Sequence, residues 1–183
     1  MGVNAIINKV GRIESFILDD DIKIYYKYAS MLKSGENIVD IGTGWGKSAA
    51  ALALSNPQAV VWTYDPGDYL IDKNVVHNHT KYIEMILRTF DNLKIKNIKF
   101  QAIDAMQADR PVIARIVHFD LNGDSDYNTQ CLFKKWSRHL CSNGVVLVRN
   151  YHLGRSEKKM ADIVFKNYKN EGQEGYITVF RKP

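Results

Sequence analysis

Residues Asn37 to Ser55 leave this chain few ways to fold. Asn37-Ile38-Val39-Asp40-Ile41 is a short, mostly apolar run of strand composition. Gly42-Thr43-Gly44-Trp45-Gly46 follows, with glycines spaced two apart, and Lys47-Ser48-Ala49-Ala50-Ala51-Leu52-Ala53-Leu54 then reads as a helix that Asn56-Pro57 ends. A buried strand that turns through glycines into a helix N-terminus is the start of a parallel βα unit and a cradle for a cofactor. The glycines matter because a Cβ would collide with a ligand lying against the backbone.

The remaining segments repeat that alternation. A helix is expected over Leu18–Leu32, where Asp19, Asp20 and Asp21 suit the positive N-terminal end and Ser34-Gly35 stops it. Further strands are expected at Ala59–Tyr64, Ile98–Ile103, Arg115–Phe119, Val145–Arg149 and Tyr176–Phe180, with a turn at Cys141–Gly144. Helices are expected at Asn78–Leu93, Asn128–Leu140 and Ser156–Lys169. Several strands are continuous apolar runs, the mark of a parallel sheet covered on both faces. The fold class is therefore α/β: a doubly wound, mostly parallel Rossmann-like sheet of about six strands with helices on both faces. The spacing between the last helix and the last strand leaves little room for a terminal hairpin. Asp65, Asp104 and Asp120 each follow a strand's C-terminal end, where such sheets bind ligands.

The chain has 183 residues, enough for one domain, and nothing resembling a linker interrupts it. It divides into a helical segment, 1–34, and a core, 35–183. No apolar run approaches the roughly 20 residues of a membrane span, and Met1–Lys9 lacks the plan of a secretory signal. Cys131 and Cys141 are expected as reduced thiols. These features point to a soluble, cytoplasmic protein with no membrane partner. The net charge of +5 is uneven: residues 1–130 carry 14 basic against 16 acidic groups, residues 131–183 carry 11 against 4. A basic final third fits either a solvated lysine face or an anionic partner such as RNA.

Two common nucleotide motifs fail by their spacing. A P-loop requires glycine five positions before Gly46, and that position is Ile41. The dinucleotide fingerprint requires a third glycine where Lys47 stands. The pattern that is present, Asp-x-Gly-x-Gly-x-Gly from Asp40 to Gly46, resembles motif I of class I S-adenosylmethionine-dependent methyltransferases, in their small O-methyltransferase-like branch. The resemblance runs over about residues 35–183. It implies that S-adenosylmethionine is held by Asp40, Gly42, Thr43, Gly44, Trp45, Gly46, Asp65, Pro66, Asp104, Ala105 and Asp120. Asp65 would accept hydrogen bonds from the ribose hydroxyls and Asp104 from the adenine amine. Asp40 would orient the methionine moiety through the glycine loop, and Trp45 would line or shield the pocket. Lys47 is expected as a solvated first-turn residue, with a carboxylate partner as the alternative because a lysine is unfavourable at a helix N-terminus.

The acceptor side departs from family patterns. Asp120-Leu121-Asn122-Gly123-Asp124-Ser125-Asp126-Tyr127 resembles the Asp-Gly-x-His-x-Tyr segment of small O-methyltransferases without its histidine. The chain lacks the Asn/Asp-Pro-Pro-Tyr/Phe motif of enzymes that methylate base amines in DNA. Asp124 and Asp126 are expected to cap the next helix. Metal-dependent catechol-type enzymes resemble Arg149-Asn150, with an Asp-Asn pair there and an Asp after the fourth strand. Here Arg149 replaces a carboxylate, and a guanidinium repels a cation, so no catalytic metal is expected. The candidate catalytic residues are Asp120, Asn150 and His152, the last as general base, with Tyr151 positioning substrate. His118 reads as a core residue. His77 and His79 lack a third metal ligand. Tyr25, Tyr26 and Tyr28 would either close over the cofactor or pack. The implied reaction is methyl transfer to a small-molecule oxygen. The alternatives are an RNA methyltransferase and a non-catalytic S-adenosylmethionine binder.

Overall fold

The computed structural model describes residues 1–109, 111–121, 125–154 and 156–183. Among them, seven strands form one sheet. They are β1 (Asn37–Ile41), β2 (Val60–Tyr64), β3 (Ile98–Gln101), β4 (Ala114–Phe119), β5 (Leu140–Arg149), β6 (Lys169–Glu174) and β7 (Ile177–Arg181), in the spatial order β3-β2-β1-β4-β5-β7-β6. β1 to β5 are parallel, and β7 and β6 are antiparallel to their neighbours. The order reverses between β1 and β4. In a doubly wound sheet the crevice outside that pair is where a ligand fits.

The helices are α1 (Val3–Val10), α2 (Asp19–Ala29), α3 (Lys47–Ser55), α4 (Asp68–Asp72), α5 (His79–Asn92), α6 (Asp126–Arg138) and α7 (Ser156–Val164). They cover both faces. On one, Ile38, Val61, Ile116 and Leu147 pack with Ile6, Ile22, Tyr25, Leu52 and Tyr82. On the other, Val39, Ile41, Val117, Phe119 and Val148 pack with Leu132, Phe133, Trp136 and Phe165. Burying a side chain of this size stabilises the fold by about 1.5–3 kcal/mol. α3 is buried along its whole length. Its Ala49, Ala50, Ala51 and Ala53 let α1, α2 and the sheet approach closely.

The sheet has seven strands rather than about six. α7 stops at Val164, five residues short of the expected end, because residues 165–168 form a turn in which the Tyr168 amide donates to the Phe165 carbonyl and the two rings meet at 5.2 Å, tilted by 47°. That frees Lys169–Glu174 to pair as the outer strand of a hairpin with β7. Its residues, KNEGQE, are polar and mostly exposed, as suits an edge strand, so no apolar alternation announces it. β5 begins at Leu140, so the expected turn at Cys141–Gly144 lies inside the strand. A register shift opposite Ala114–Ile116 and a left-handed Asn143 absorb it. Ser125, not Asp126, caps α6, its hydroxyl accepting from the Asn128 amide at 3.2 Å. Asp124 lies outside the described residues. No helix among them is long and apolar enough to cross a membrane, and both cysteines are free.

Candidate functional site

The crevice begins with a polar row across three strands. Thr63 of β2, Asp40 of β1 and His118 of β4 are in lateral register. Their side chains therefore share one face, the face beneath α2 and α3, and all three are fully buried. Asp40 Oδ2 accepts from the hydroxyls of Thr63 (2.7 Å) and Ser48 (3.2 Å), and Oδ1 pairs with His118 Nδ1 at 2.7 Å. The far side of the imidazole, Nε2, meets the Tyr25 hydroxyl of α2 at 3.1 Å. Thr63 also bonds Thr43 of the glycine loop at 2.6 Å. Asp40 thus shapes the loop from below. Tyr25→Phe removes one partner of a buried nitrogen, and urea unfolding is expected to show a loss of about 1–3 kcal/mol.

Above this row the glycine loop reverses the chain. Gly42 has φ +93°, and a Cβ there would lie 2.1 Å from the Asp120 carbonyl oxygen. Gly44 has φ +50° and nothing within 4 Å of its Cβ position, so its open face is free for a ligand. Asp65, at the end of β2, ties this loop to its own. Oδ2 accepts from the Gly44 amide at 2.8 Å and Oδ1 from the Gly67 amide at 2.6 Å. Burial raises the pKa of Asp65, and these two amide bonds oppose the rise. Tyr82 of α5 donates to the Gly44 carbonyl at 3.2 Å.

Arg149, at the end of β5, closes the other side. Its Nη1 reaches both oxygens of Asp120 at 3.2 and 3.3 Å, Nε reaches Asp21 at 3.4 Å, and Nη2 donates to the Phe16 carbonyl at 2.6 Å. Asp21 in turn accepts from the amides of Leu18 and Tyr176. This cluster straps the segment joining α1 to α2 across the crevice. Burial raises the pKa of Asp120, and Arg149 opposes that rise. Two connected spaces result. A cavity of about 50 Å³ lies under the strap, walled by Ser15, Phe16, Trp45, Lys47, Asp120 and Arg149. A trough of about 390 Å³ runs outward past Asp65, Pro66, Asp104, Ala105, Asp120 and Leu132.

No family model and no curated protein matches the chain. Solved structures do. A candidate caffeoyl-CoA O-methyltransferase from Staphylococcus aureus superposes with a TM-score of 0.71 at 11% identity, over 100% of this chain and 93% of that one. A precorrin-6y C5,15-methyltransferase from Geobacter metallireducens gives 0.62 at 13% identity, over 89% and 88%. The S-adenosylmethionine-dependent methyltransferase SibL gives 0.59 at 15% identity, and the match spans 88% of this chain but only 55% of that longer one. The fold is that of class I S-adenosylmethionine-dependent methyltransferases.

On this methyltransferase fold the residues expected to hold the cofactor gather at one crevice. Gly42, Thr43, Gly44, Trp45, Asp65, Pro66, Asp104, Ala105 and Asp120 all line the two spaces. Gly46 is the left-handed residue that launches α3. Asp40 lines neither space, its oxygens being engaged by protein groups. Asp104 is exposed and keeps one oxygen for Met106, whose amide donates to Oδ1 at 2.8 Å. Asn150 and His152 are not brought to either space. Asn150 takes a left-handed conformation and its amide donates to the Tyr176 carbonyl. His152 is exposed and packs edge-on against Tyr176 at 4.8 Å. Tyr151 donates its hydroxyl to Asp162. His79 contacts the Pro66 carbonyl. Tyr25 and Tyr28 pack in the core, and Tyr28 donates to Glu171 of β6.

Two site features escaped the sequence. Lys47 is not solvated: it is 8% exposed, because α3 is enclosed on all sides. His118 is the core residue expected, fully buried with both ring nitrogens partnered, and its place in the polar row follows from the matching positions of Asp40, Thr63 and His118 near their strand ends. Lys135 of α6 holds the turn after β3 by donating to the carbonyls of Met106 and Ala108 at 2.7 and 2.9 Å, and nothing in its local sequence signals that.

Proposed function

We propose that this protein binds S-adenosylmethionine and transfers its methyl group to an oxygen of a small molecule, without a catalytic metal. The observation that carries the reading is the joint placement of Asp65 and Gly44. The carboxylate is tied to the loop amide at 2.8 Å, and the glycine beside it leaves open space where any other residue would place a Cβ. That is a cradle suited to a sugar edge and a chain lying against backbone.

The residues fit the group. Each Asp65 oxygen accepts one backbone amide and has a second lone pair for a ribose hydroxyl. Asp104 and Ala105, in the trough beyond, suit an adenine edge. When bound, the cofactor supplies a sulfonium methyl, an electrophile that chiefly needs an aligned nucleophile. Asp120 borders both spaces, and its raised pKa makes it a better proton acceptor for a hydroxyl than an ordinary carboxylate. Asp120 is therefore the proposed base, ahead of Asn150 and His152. Arg149 supports the absence of a metal step, since its guanidinium already pairs with both Asp120 and Asp21. The strap narrows the small cavity to about 50 Å³, which favours a small acceptor.

The basic final third gives RNA little support. Lys135, Arg149, Lys158, Lys159, Arg181 and Lys182 all donate to protein acceptors.

Calorimetric titration with S-adenosylmethionine and S-adenosylhomocysteine tests the first half. Asp65→Asn is expected to weaken both by about 10- to 100-fold, the worth of one charge-assisted hydrogen bond. Binding by the native protein should also fail on acidification. Ribose recognition needs the ionised carboxylate, and the folded pKa of Asp65 lies above 3.8, so affinity falls as pH drops through that raised value. A screen of phenols, other hydroxylated small molecules, carboxylic acids and RNA with methyl-labelled cofactor tests the second half. An oxygen-methylated small molecule formed in EDTA supports the reading. Label in RNA, or activity restored only by a divalent cation, overturns it, and binding without any transfer would mark a non-catalytic binder.

A further inference from the structure

We propose that the groove between α1 and α5 is a binding site for an amphipathic acid, a small molecule with an apolar body and one anionic group. The two helices build the groove by their periodicity. Ala5, Asn8, Lys9 and Arg12 recur at spacings of three and four along α1 and the turn after it. Met85, Thr89, Asn92 and Leu93 do the same on α5, so each set shares one face. The two faces, with Ile13 and Trp45, line an open groove of about 1050 Å³. Clefts that hold small ligands enclose about 300–1,000 Å³. This groove lies apart from the crevice, and of its lining residues Trp45 alone also borders the cavity under the strap.

The two sides of the groove differ in chemistry. Ile13, Trp45, Met85 and Leu93 are half-buried side chains that rest on the core, and a methionine among them makes the apolar wall adaptable. The α5 side carries no charge, and its Thr89 hydroxyl already donates to the Met85 carbonyl at 2.9 Å. The α1 side supplies the charge. Lys9 and Arg12 line it with one acid, Glu14, which leaves a net charge of +1. Among the described residues no hydrogen bond or ion pair engages any of the three. Next to the groove on α5, the exposed Arg88 and Asp91 balance each other. An acid group can therefore take Lys9 and Arg12 without displacing a protein partner, while its apolar body leaves water against the wall. The concave shape and two cations suit a single molecule rather than a bilayer, which attracts polybasic clusters of four or more.

Decanoate is the probe, one carboxylate on an apolar chain. Calorimetric titration of the full chain is expected to show one equivalent bound. Acetate, the head without the chain, and decyltrimethylammonium, the chain with the opposite charge, are expected not to bind. Lys9→Met combined with Arg12→Met should weaken decanoate by about tenfold, the worth of two partly exposed charge pairs. Ala5→Trp, at an exposed position, should fill the groove and abolish binding. Lys9→Glu combined with Arg12→Glu should reverse the preference, so that decyltrimethylammonium binds and decanoate does not. All three positions lie outside the crevice, so these variants should melt as the native chain does.

No binding of decanoate by the native chain, or equal binding by the native chain, the double methionine variant and Ala5→Trp, overturns the site. So does a stoichiometry well above one, which marks unspecific coating, and so does displacement by S-adenosylhomocysteine, which would put decanoate in the crevice. The site does not rest on the cofactor reading. A protein that binds decanoate but no S-adenosylhomocysteine keeps the groove and loses that reading, and the opposite result does the converse. Other occupants have their own signatures. A dimer in sedimentation velocity that Ala5→Trp dissociates assigns the groove to a second copy. Binding to phosphatidylserine vesicles with none to free decanoate assigns it to a membrane. Either result overturns the proposal. Should the charge-reversed variant not fold, the double methionine variant and Ala5→Trp decide alone.

Discussion

Arg149→Met is expected to destabilise the fold by about 3–5 kcal/mol, the usual cost of removing one partner of a buried ion pair. Three acceptors lose their donor together: Asp120, Asp21 and the Phe16 carbonyl. Asp21 is fully buried, so its charge has nowhere to go. Urea unfolding at neutral pH measures the loss. The sign of its pH dependence follows from Asp120. Its folded pKa is already raised above 3.8, and losing Arg149, which lowers it, raises it further. The folded variant then binds more protons than the unfolded chain between those two values, so its stability rises as pH falls through that window. The gap between Arg149→Met and the native protein should accordingly narrow on mild acidification. Asp120→Asn added to Arg149→Met should recover part of the loss at neutral pH. The same variant frees the strap, and faster hydrogen exchange at residues 16–18 would show it. A loss under about 1 kcal/mol, typical of exposed pairs, would mean that the cluster does not hold the strap.

Gly42→Ala is expected to be the most damaging substitution in the glycine loop. A Cβ at this position would sit 2.1 Å from the Asp120 carbonyl oxygen, and backbone cannot swing aside as a flexible side chain can. The residue also has φ +93°. Left-handed strain of about 1–2 kcal/mol and overpacking of about 1–3 kcal/mol together predict a loss of about 2–5 kcal/mol. For a chain of this size that lowers the melting temperature by roughly 5–15 °C. Because Asp120 would be pushed from its place, cofactor binding should disappear in whatever fraction stays folded. Gly44→Ala is the control. Nothing lies within 4 Å of its Cβ position, so it should fold, with strain of about 1–2 kcal/mol, yet bind the cofactor poorly because the methyl occupies the cradle. Equal effects of the two variants on melting would contradict the close approach of β1 and β4.

Local chemistry made much of the fold legible. β1 and α3 begin and end where Asn37–Ile41 and Lys47–Ser55 predict, because an apolar run, a glycine turn and an Asn-Pro stop are all short-range signals. The positions of Asp65, Asp104 and Asp120 at strand ends followed from the same reading. The β6–β7 hairpin was not legible, since a polar edge strand is stabilised by backbone pairing with β7 rather than by its own side chains. α1 and α4 were missed as well, both being short. The candidate site divides the same way. That Gly42, Asp65 and Asp104 line one crevice was legible from their positions at strand ends. The placing of Asn150 and His152 was not: they follow Arg149 directly, yet the chain turns them toward Tyr176 and away from the crevice.

By itself the sequence determined that Gly42–Gly46 joins a buried strand to a helix, with a geometry that fits neither a P-loop nor a dinucleotide fingerprint. Those are properties of neighbouring residues, set by sterics and spacing. Only the tertiary structure decided which partners meet across the sheet. Thr63, Asp40 and His118 become one row through strand register. Arg149 finds Asp21 from 128 residues away. Lys47 is enclosed because α1 and α2 fold over α3. Charge pairing and burial depend on long-range contacts, and nothing in a local stretch of chain encodes which distant group will arrive.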